Sequence, residues 1–240
     1  MFQTVDVLGA KISNASVEEI VSFLTERIKQ KQNTVVYTPN SEIIEQFHKD
    51  KALLSLLNSA DVLTADGIGV VYGAKILGTP LKGRAAGYDI ACKLLEAGAK
   101  EGFGVFLFGS TEEVCHLAKE NIEKQYPGIR IVGTQNGYSK EPVGESIART
   151  NPDVLFVCLG AKKQEEWIYE NKHLFSGTTF LGIGGSMDVF AGVVKRAPDI
   201  FIKLNLEWFY RLLKQPSRFI RMLALPRFLF RVIVRKTKQR

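Results

Sequence analysis

Several signatures that would assign a chemistry at once are missing from these 240 residues. Walker A and HExxH motifs are absent, and so is an Asp-x-Asp pair of the kind that holds a divalent ion on a diphosphate. Three cysteines, Cys92, Cys115 and Cys158, have no CxxC spacing and each falls in an apolar run. That excludes a disulfide framework and points to buried thiols in a reducing compartment. Three histidines, His48, His116 and His173, show no ligand spacing and are assigned no role. The opening MFQTVDVLGAKIS has neither a basic n-region nor a long apolar stretch, so no signal peptide is expected. An uninterrupted apolar run of about 18 residues, enough to span a bilayer, is also wanting. The expectation is a cytoplasmic protein, in which no metal or cofactor motif is evident.

Acidic residues are scarce in one region. From Ile200 to Arg240 eleven Lys or Arg stand against the single acid Glu207, whereas residues 1–199 carry 21 basic and 24 acidic groups. The net charge of +7 is therefore concentrated in the tail. A basic stretch that is also aromatic and aliphatic suits an anionic surface, and at this point either lipid headgroups or nucleic acid would supply one. Pro216 and Pro226 are expected to divide the tail into three short helices. Arg218 and Arg221 would share one helical face, and Arg227, Arg231 and Arg235 another. Beside them Phe219, Ile220, Leu223, Phe228, Leu229, Phe230 and Ile233 supply apolar surface that either pairs two copies of the chain into a homo-oligomer or docks on its own core at a bilayer.

With 45% hydrophobic and 24% charged residues, the rest reads as an ordinary globular domain. Short apolar runs alternate with helical periods. Strands are predicted at Val5–Leu8, Thr34–Thr38, Asp61–Ala65, Gly104–Phe108, Arg130–Thr134, Val154–Leu159 and Thr179–Ile183. A helix from about Val17 to Lys31 opens on a Ser16/Glu19 capping box. Continuous apolar strands separated by helices imply an α/β fold, a Rossmann-like doubly wound, mostly parallel sheet, over residues 1–199, with a basic helical appendage over 200–240.

Such sheets bind ligands beyond the carboxyl ends of their strands. Thr38-Pro39-Asn40, Asp66-Gly67, Gly109-Ser110, Gly160 to Gln164 and Gly184-Gly185 all follow predicted strands. Asp66 suits a carboxylate aimed into a cleft, or equally an N-cap for a helix beginning near Ile68. Asn40 suits a helix cap as well as a polar ligand contact. Arg84, flanked by glycines, is either a phosphate-seeking guanidinium or a solvated side chain. Gly109, Ser110, Gly184 and Gly185 would let a diphosphate or nucleoside approach the backbone. Gln164 offers a donor and an acceptor, Asp188 is a candidate nucleotide contact, and Glu165 and Glu166 suit a helix dipole. Gly67, Gly69 and Gly73 match a dinucleotide fingerprint only in part, with GxGxxxG spacing after an internal strand.

Taken together, TPNSEI at 38–43, ADGIGVV at 65–71, GYDI at 87–90, LFGS at 107–110, LGAKKQEEWI at 159–168, GIGGSMDVFAG at 182–192, and KRAP followed by LEWFYRLLKQPSRFIR resemble the WecG/TagA/CpsF family in the same order over nearly the whole chain. The resemblance implies a metal-independent, inverting glycosyltransferase that extends an undecaprenyl-diphosphate-linked N-acetylglucosamine. The nearest subgroup implies UDP-N-acetylmannosamine as donor and a place in wall teichoic acid synthesis, with other UDP-sugars as the alternative. It also implies that Asp66 is the base, that Thr38 and Asn40 lie beside it, and that a basic appendage touches the inner face of the membrane and completes the site. Arg211, Arg218 and Arg221 match arginines of that appendage, with Arg221 the foremost catalytic candidate. They would neutralise the leaving UDP in the absence of an Asp-x-Asp metal site, and no nucleic-acid partner is expected. Lys162 stands where the family often has proline, which leaves the shape of that loop open.

Overall fold

The computed structural model describes residues 1–216 and 219–238, and for Arg221 the backbone alone. The chain opens with an antiparallel hairpin, β1 (Thr4–Val7) and β2 (Ala10–Ser13). It continues through α1 (Val17–Lys29), β3 (Thr34–Tyr37), α2 (Ser41–Phe47), α3 (Lys51–Leu57), β4 (Val62–Leu63), α4 (Ile68–Leu77) and α5 (Gly87–Glu101). Then follow β5 (Gly104–Gly109), α6 (Glu112–Gln125), β6 (Arg130–Gln135), α7 (Gly144–Arg149), β7 (Val154–Cys158), α8 (Lys163–Asn171), β8 (Thr179–Gly182) and α9 (Ser186–Phe190). The tail contains α10 (Asp199–Lys203), α11 (Glu207–Lys214), α12 (Phe219–Met222) and α13 (Ala224–Lys238).

β3 to β8 form one parallel sheet in the order β4-β3-β8-β7-β5-β6. The four inner strands are buried along their whole length, which is why they read as continuous apolar runs. Alternate side chains go to opposite faces. Val36, Val105 and Leu107 join α1, α5, α6 and α9 on one side, while Val35, Tyr37, Phe106 and Phe108 join α2, α4, α8 and the hairpin on the other. The result is the Rossmann-like doubly wound arrangement expected from the alternation of strands and helices. The predicted first strand does not enter this sheet. It pairs with β2, which was not foreseen, and the resulting ribbon packs beneath α4.

α1 begins as its capping box requires: the Ser16 hydroxyl accepts from Glu19 N, and Ser16 N donates to the Glu19 carboxylate. Cys115 and Cys158 are buried, Cys92 is partly so, and all three are free thiols.

The tail departs from expectation in two ways. The described residues from Asp199 onward form four helices rather than three: an extra break separates α10 from α11, where Asn205 takes φ +59, and Pro226 sits in the first turn of α13, where a missing N–H costs little, so that break falls at Leu223 instead. α13 also packs into the molecule. Phe228 and Val232 are fully buried in the same cluster as Val70 and Ala74 of α4 and Ile44 of α2. Gly69 and Gly73 allow this approach: a Cβ at Gly69 would lie 2.6 Å from Leu225 Cδ1, and one at Gly73 would lie 2.9 Å from the Phe228 ring. The glycine pattern that partly matched a dinucleotide fingerprint is therefore a helix-packing groove.

Two of the arginines expected to line up along α13 are engaged by the core. Arg231 Nε donates to the buried Glu45 carboxylate at 2.7 Å, and Arg235 pairs with Asp6 at 2.9 Å. Lys236 Nζ caps the carboxyl end of α4 through Leu77 O at 2.9 Å. By contrast α10 to α12 expose large apolar side chains, among them Leu213 (59%) and Ile220 (78%). No helix of the described residues is long and apolar enough to cross a membrane.

Candidate active site

A cleft of about 390 Å³ opens at the carboxyl ends of β3, β4, β7 and β8 and is roofed mainly by α11, with Met222 of α12 and Leu225 of α13 also lining it. Thr38, Asn40, Asp66, Arg84, Gln164, Gly184, Gly185, Asp188 and Arg211 all line it, so nine sequence-predicted residues from distant parts of the chain meet in one place.

The backbone just past β4 holds Asp66 firmly. Its N–H donates to Pro39 O at 3.3 Å and its carbonyl accepts Arg84 Nε at 2.8 Å. The carboxylate oxygen Oδ1 accepts the N–H of Gly87 at 3.0 Å, the first residue of α5. The alternative of an N-cap for α4 is thus not what forms. Gly67 takes that position without a side-chain bond, and Asp66 instead serves the N-terminus of α5. Gly87 is required for this approach, since a Cβ there would lie 2.9 Å from both Cγ2 and Oγ1 of Thr38.

Burial raises the pKa of Asp66 above the ordinary aspartate range, against the opposing pull of Arg84, Arg211 and the Gly87 hydrogen bond, while the nearby Glu207 charge adds to the rise. A carboxylate with a raised pKa beside fixed cations is suited to accept a proton.

The other predicted residues divide by what holds them. The Thr38 hydroxyl donates to Gly182 O at 2.8 Å, and Asn40 caps α2 by accepting from Ile43 N at 3.0 Å. Gln164 is almost wholly buried; its amide oxygen takes the Gly184 N–H and its nitrogen donates to Glu165 Oε1, both at 2.9 Å. Its expected offer of a donor and an acceptor to a sugar is largely spent on pinning the Gly184-Gly185 loop. Glu165, buried as well, accepts the Lys162 N–H at 2.6 Å, and burial raises its pKa. Lys162 sits at φ +71, a value closed to proline, so this loop differs from one built on the family's usual residue.

Gly109 does not line the cleft. With φ +132 and a virtual Cβ 2.4 Å from Cys158 O, it serves the close pairing of β5 with β7. Ser110 is also set back from the cleft wall, but its hydroxyl donates to Asp188 Oδ1 at 3.0 Å and so orients a residue that does line it. Arg218 lies outside the described residues, and Arg221 is placed by its backbone in α12.

Arg84 is not a free guanidinium. Besides its bond to Asp66 O, its Nη2 meets Glu207 Oε2 at 2.7 Å, and the other oxygen of Glu207 meets Arg211 Nη2 at 2.7 Å. Only 8% of Glu207 is exposed, and although burial alone would raise its pKa, Arg211, Arg84 and Arg196 together hold it below the ordinary range. Behind this cluster Arg196 pairs with Asp89 and lies 4.7 Å over the Tyr88 ring, which stacks on Phe190.

Comparison with known proteins identifies the family. The model of the glycosyl transferase WecG/TagA/CpsF family matches residues 5–240. The chain belongs to that family. It is therefore a glycosyltransferase. The chain is 38% identical over 234 residues to a Bacillus subtilis (strain 168) protein named N-acetylglucosaminyldiphosphoundecaprenol N-acetyl-beta-D-mannosaminyltransferase, covering 96% of this chain and 91% of that one. Proteins of the same name from Bacillus spizizenii, 39% identical over 90% of this chain and 86% of the relative, and from Staphylococcus aureus (strain MW2), 36% identical over 98% and 94%, are similar to it as well.

Among the residues of this glycosyltransferase's cleft that sequence reasoning missed are Tyr88, Lys195, Lys214 and Glu207. Glu207 left one signal, as the lone acid of a strongly basic segment. Trp208 and Tyr210, taken for core or interface residues, line the cleft too. Among the described residues no group of three His, Cys, Asp or Glu side chains is arranged to hold a metal ion.

Proposed function

We propose that the protein transfers N-acetylmannosamine from UDP-N-acetylmannosamine to the 4-hydroxyl of undecaprenyl-diphosphate-linked N-acetylglucosamine, the step that builds the linkage unit of wall teichoic acid. The substrates follow the printed names of relatives matched over most of both chains. The observation that carries the chemistry is the seating of Asp66: a partly buried carboxyl of raised pKa in a cleft walled by Arg84, Arg211, Lys195 and Lys214.

The step is a single in-line displacement. Asp66, as carboxylate, takes the proton of the acceptor hydroxyl while that oxygen attacks the anomeric carbon. The bond from that carbon to the diphosphate oxygen breaks, and UDP departs with the electron pair toward the cationic wall. Attack opposite the leaving group inverts the anomeric centre. Cationic side chains take the part that a metal ion plays elsewhere, because guanidinium and ammonium donors neutralise a diphosphate directly.

The acceptor is held by a lipid, and the exposed apolar side chains of α10 to α12 suit peripheral attachment at the inner face of the membrane. Purified protein supplied with a soluble lipid-diphosphate-N-acetylglucosamine analogue tests the reading. UDP release with UDP-N-acetylmannosamine, undiminished by EDTA, is expected. Release with UDP-N-acetylglucosamine or UDP-glucose alone would overturn the donor, and loss of release in EDTA would overturn metal independence.

A further inference from the structure

Among the tail residues Glu207 is unusual in being acidic, nearly buried and fully committed. It is the first residue of α11, and its two carboxylate oxygens are divided between Arg84, which comes from the core, and Arg211, one turn further along α11. Arg84 in turn donates through Nε to the carbonyl of Asp66. A continuous chain of charge-assisted hydrogen bonds therefore runs from the tail helix to the backbone of the base, with each link between 2.7 and 2.8 Å.

A guanidinium aimed into a cleft has a long side chain whose rotamers must be restricted before it presents donors in a fixed direction. Here a shared carboxylate performs that restriction for two arginines at once, and it does so from the helix that roofs the site. We infer that Glu207 is a positioning residue: it clasps Arg84 and Arg211 in the cleft, and it makes the catalytic geometry around Asp66 depend on α11 being seated. The inference rests on the functional reading given above and adds to it the part of the machinery that joins tail to core. The acid does not touch the reacting atoms; it acts through the arginines.

The alternative to a clasp is a bystander carboxylate, and the two have opposite signatures. The charged side chains around Asp66 are Arg84, Arg211 and Glu207, with Lys195 and Lys214 on the same cleft wall. A bystander contributes only its negative charge, which raises the Asp66 pKa, so Glu207→Gln would move the acidic limb of kcat/KM to lower pH. A clasp also fixes arginines whose opposing pull on Asp66 is larger than that of Glu207. Releasing them lets burial dominate, and the limb moves to higher pH.

The experiment measures UDP release by wild type, Glu207→Gln, Glu207→Asp, Arg211→Gln and the Glu207→Gln/Arg211→Gln double variant across pH, with thermal unfolding of each. Expected for Glu207→Gln is a fall in kcat of about ten- to a hundredfold, a limb displaced to higher pH and a melting temperature close to wild type. Glu207→Asp should recover part of the rate, and the double variant should be no slower than the slower single one. A limb displaced to lower pH, or losses that multiply in the double variant, would overturn the clasp. If Glu207→Gln does not fold, Glu207→Asp carries the test: under the clasp its shorter reach loosens both arginines and the limb moves to higher pH, whereas a bystander, its charge kept, would leave the limb in place and overturn the clasp. A wild-type protein that releases no UDP would instead sink the functional reading itself.

Discussion

The floor of the cleft and its roof are held in place by different means. On the floor, Asp66, Thr38 and Gly184 are tied through the N–H of Gly87, the carbonyls of Pro39 and Gly182 and the buried amide of Gln164, at the ends of strands that are themselves buried. Most of these bonds involve backbone that the sheet fixes, so the Asp66 carboxylate is pre-positioned with little freedom to lose. The roof, α10 to α12, is fastened by charge, through Glu207 to Arg84 and Arg211, and turns large apolar side chains outward. Beyond it α13 returns to the floor's regime, with Phe228 and Val232 in the core. The difference teaches that the tail is two things: a structural helix that completes one face of the sheet, and an apolar cap whose Glu207 joins Arg84 of the core to Arg211.

Substitutions in the two parts of the tail should separate accordingly. Phe228→Ala removes a fully buried ring from the α4 groove and should cost about 3–5 kcal/mol in chemical denaturation. A loss near zero would show that α13 is not part of the core. Gly73→Val places new atoms against the same ring from the other side and should cost about 1–3 kcal/mol, with the melting temperature as readout. The paired change Leu213→Ser/Ile220→Ser on the cap should leave stability within about 0.5 kcal/mol of wild type. The same variant should sediment less with anionic lipid vesicles; unchanged sedimentation would place the membrane contact elsewhere.

The sheet was legible because β3, β5, β7 and β8 are buried on both faces and so appear as unbroken apolar runs. β2 was not, since Ala10-Lys11-Ile12-Ser13 is short and its partner lies across a tight turn outside the main sheet. The residues that follow the strands lie at the edge where the cleft opens, and nine of the residues singled out in the sequence line it. What the sequence hid was how they are held. The hydroxyl of Thr38 and the amide of Gln164 find partners 144 and 20 residues away, and Glu207 reaches across 123 residues to Arg84. Local pattern carries no trace of such pairings. The Gly69 and Gly73 spacing was ambiguous for a related reason: small residues that admit a phosphate and small residues that admit a helix look alike until the partner is in place.

The central claim is that Asp66 is the base, and Asp66→Asn tests it with two readouts. The amide can still accept the Gly87 N–H, so the loop keeps its shape. UDP release should fall by about a hundred- to ten-thousandfold while binding of the donor is unchanged. Stability should move the other way. Because burial raises the Asp66 pKa, the protonated form is the one the folded protein favours; the stability it contributes is present below the ordinary aspartate range and lost as pH rises through the folded value. At neutral pH the neutral amide escapes that loss, so the variant should melt higher than wild type. An Asp66→Asn variant that turns over at the wild-type rate would contradict the account.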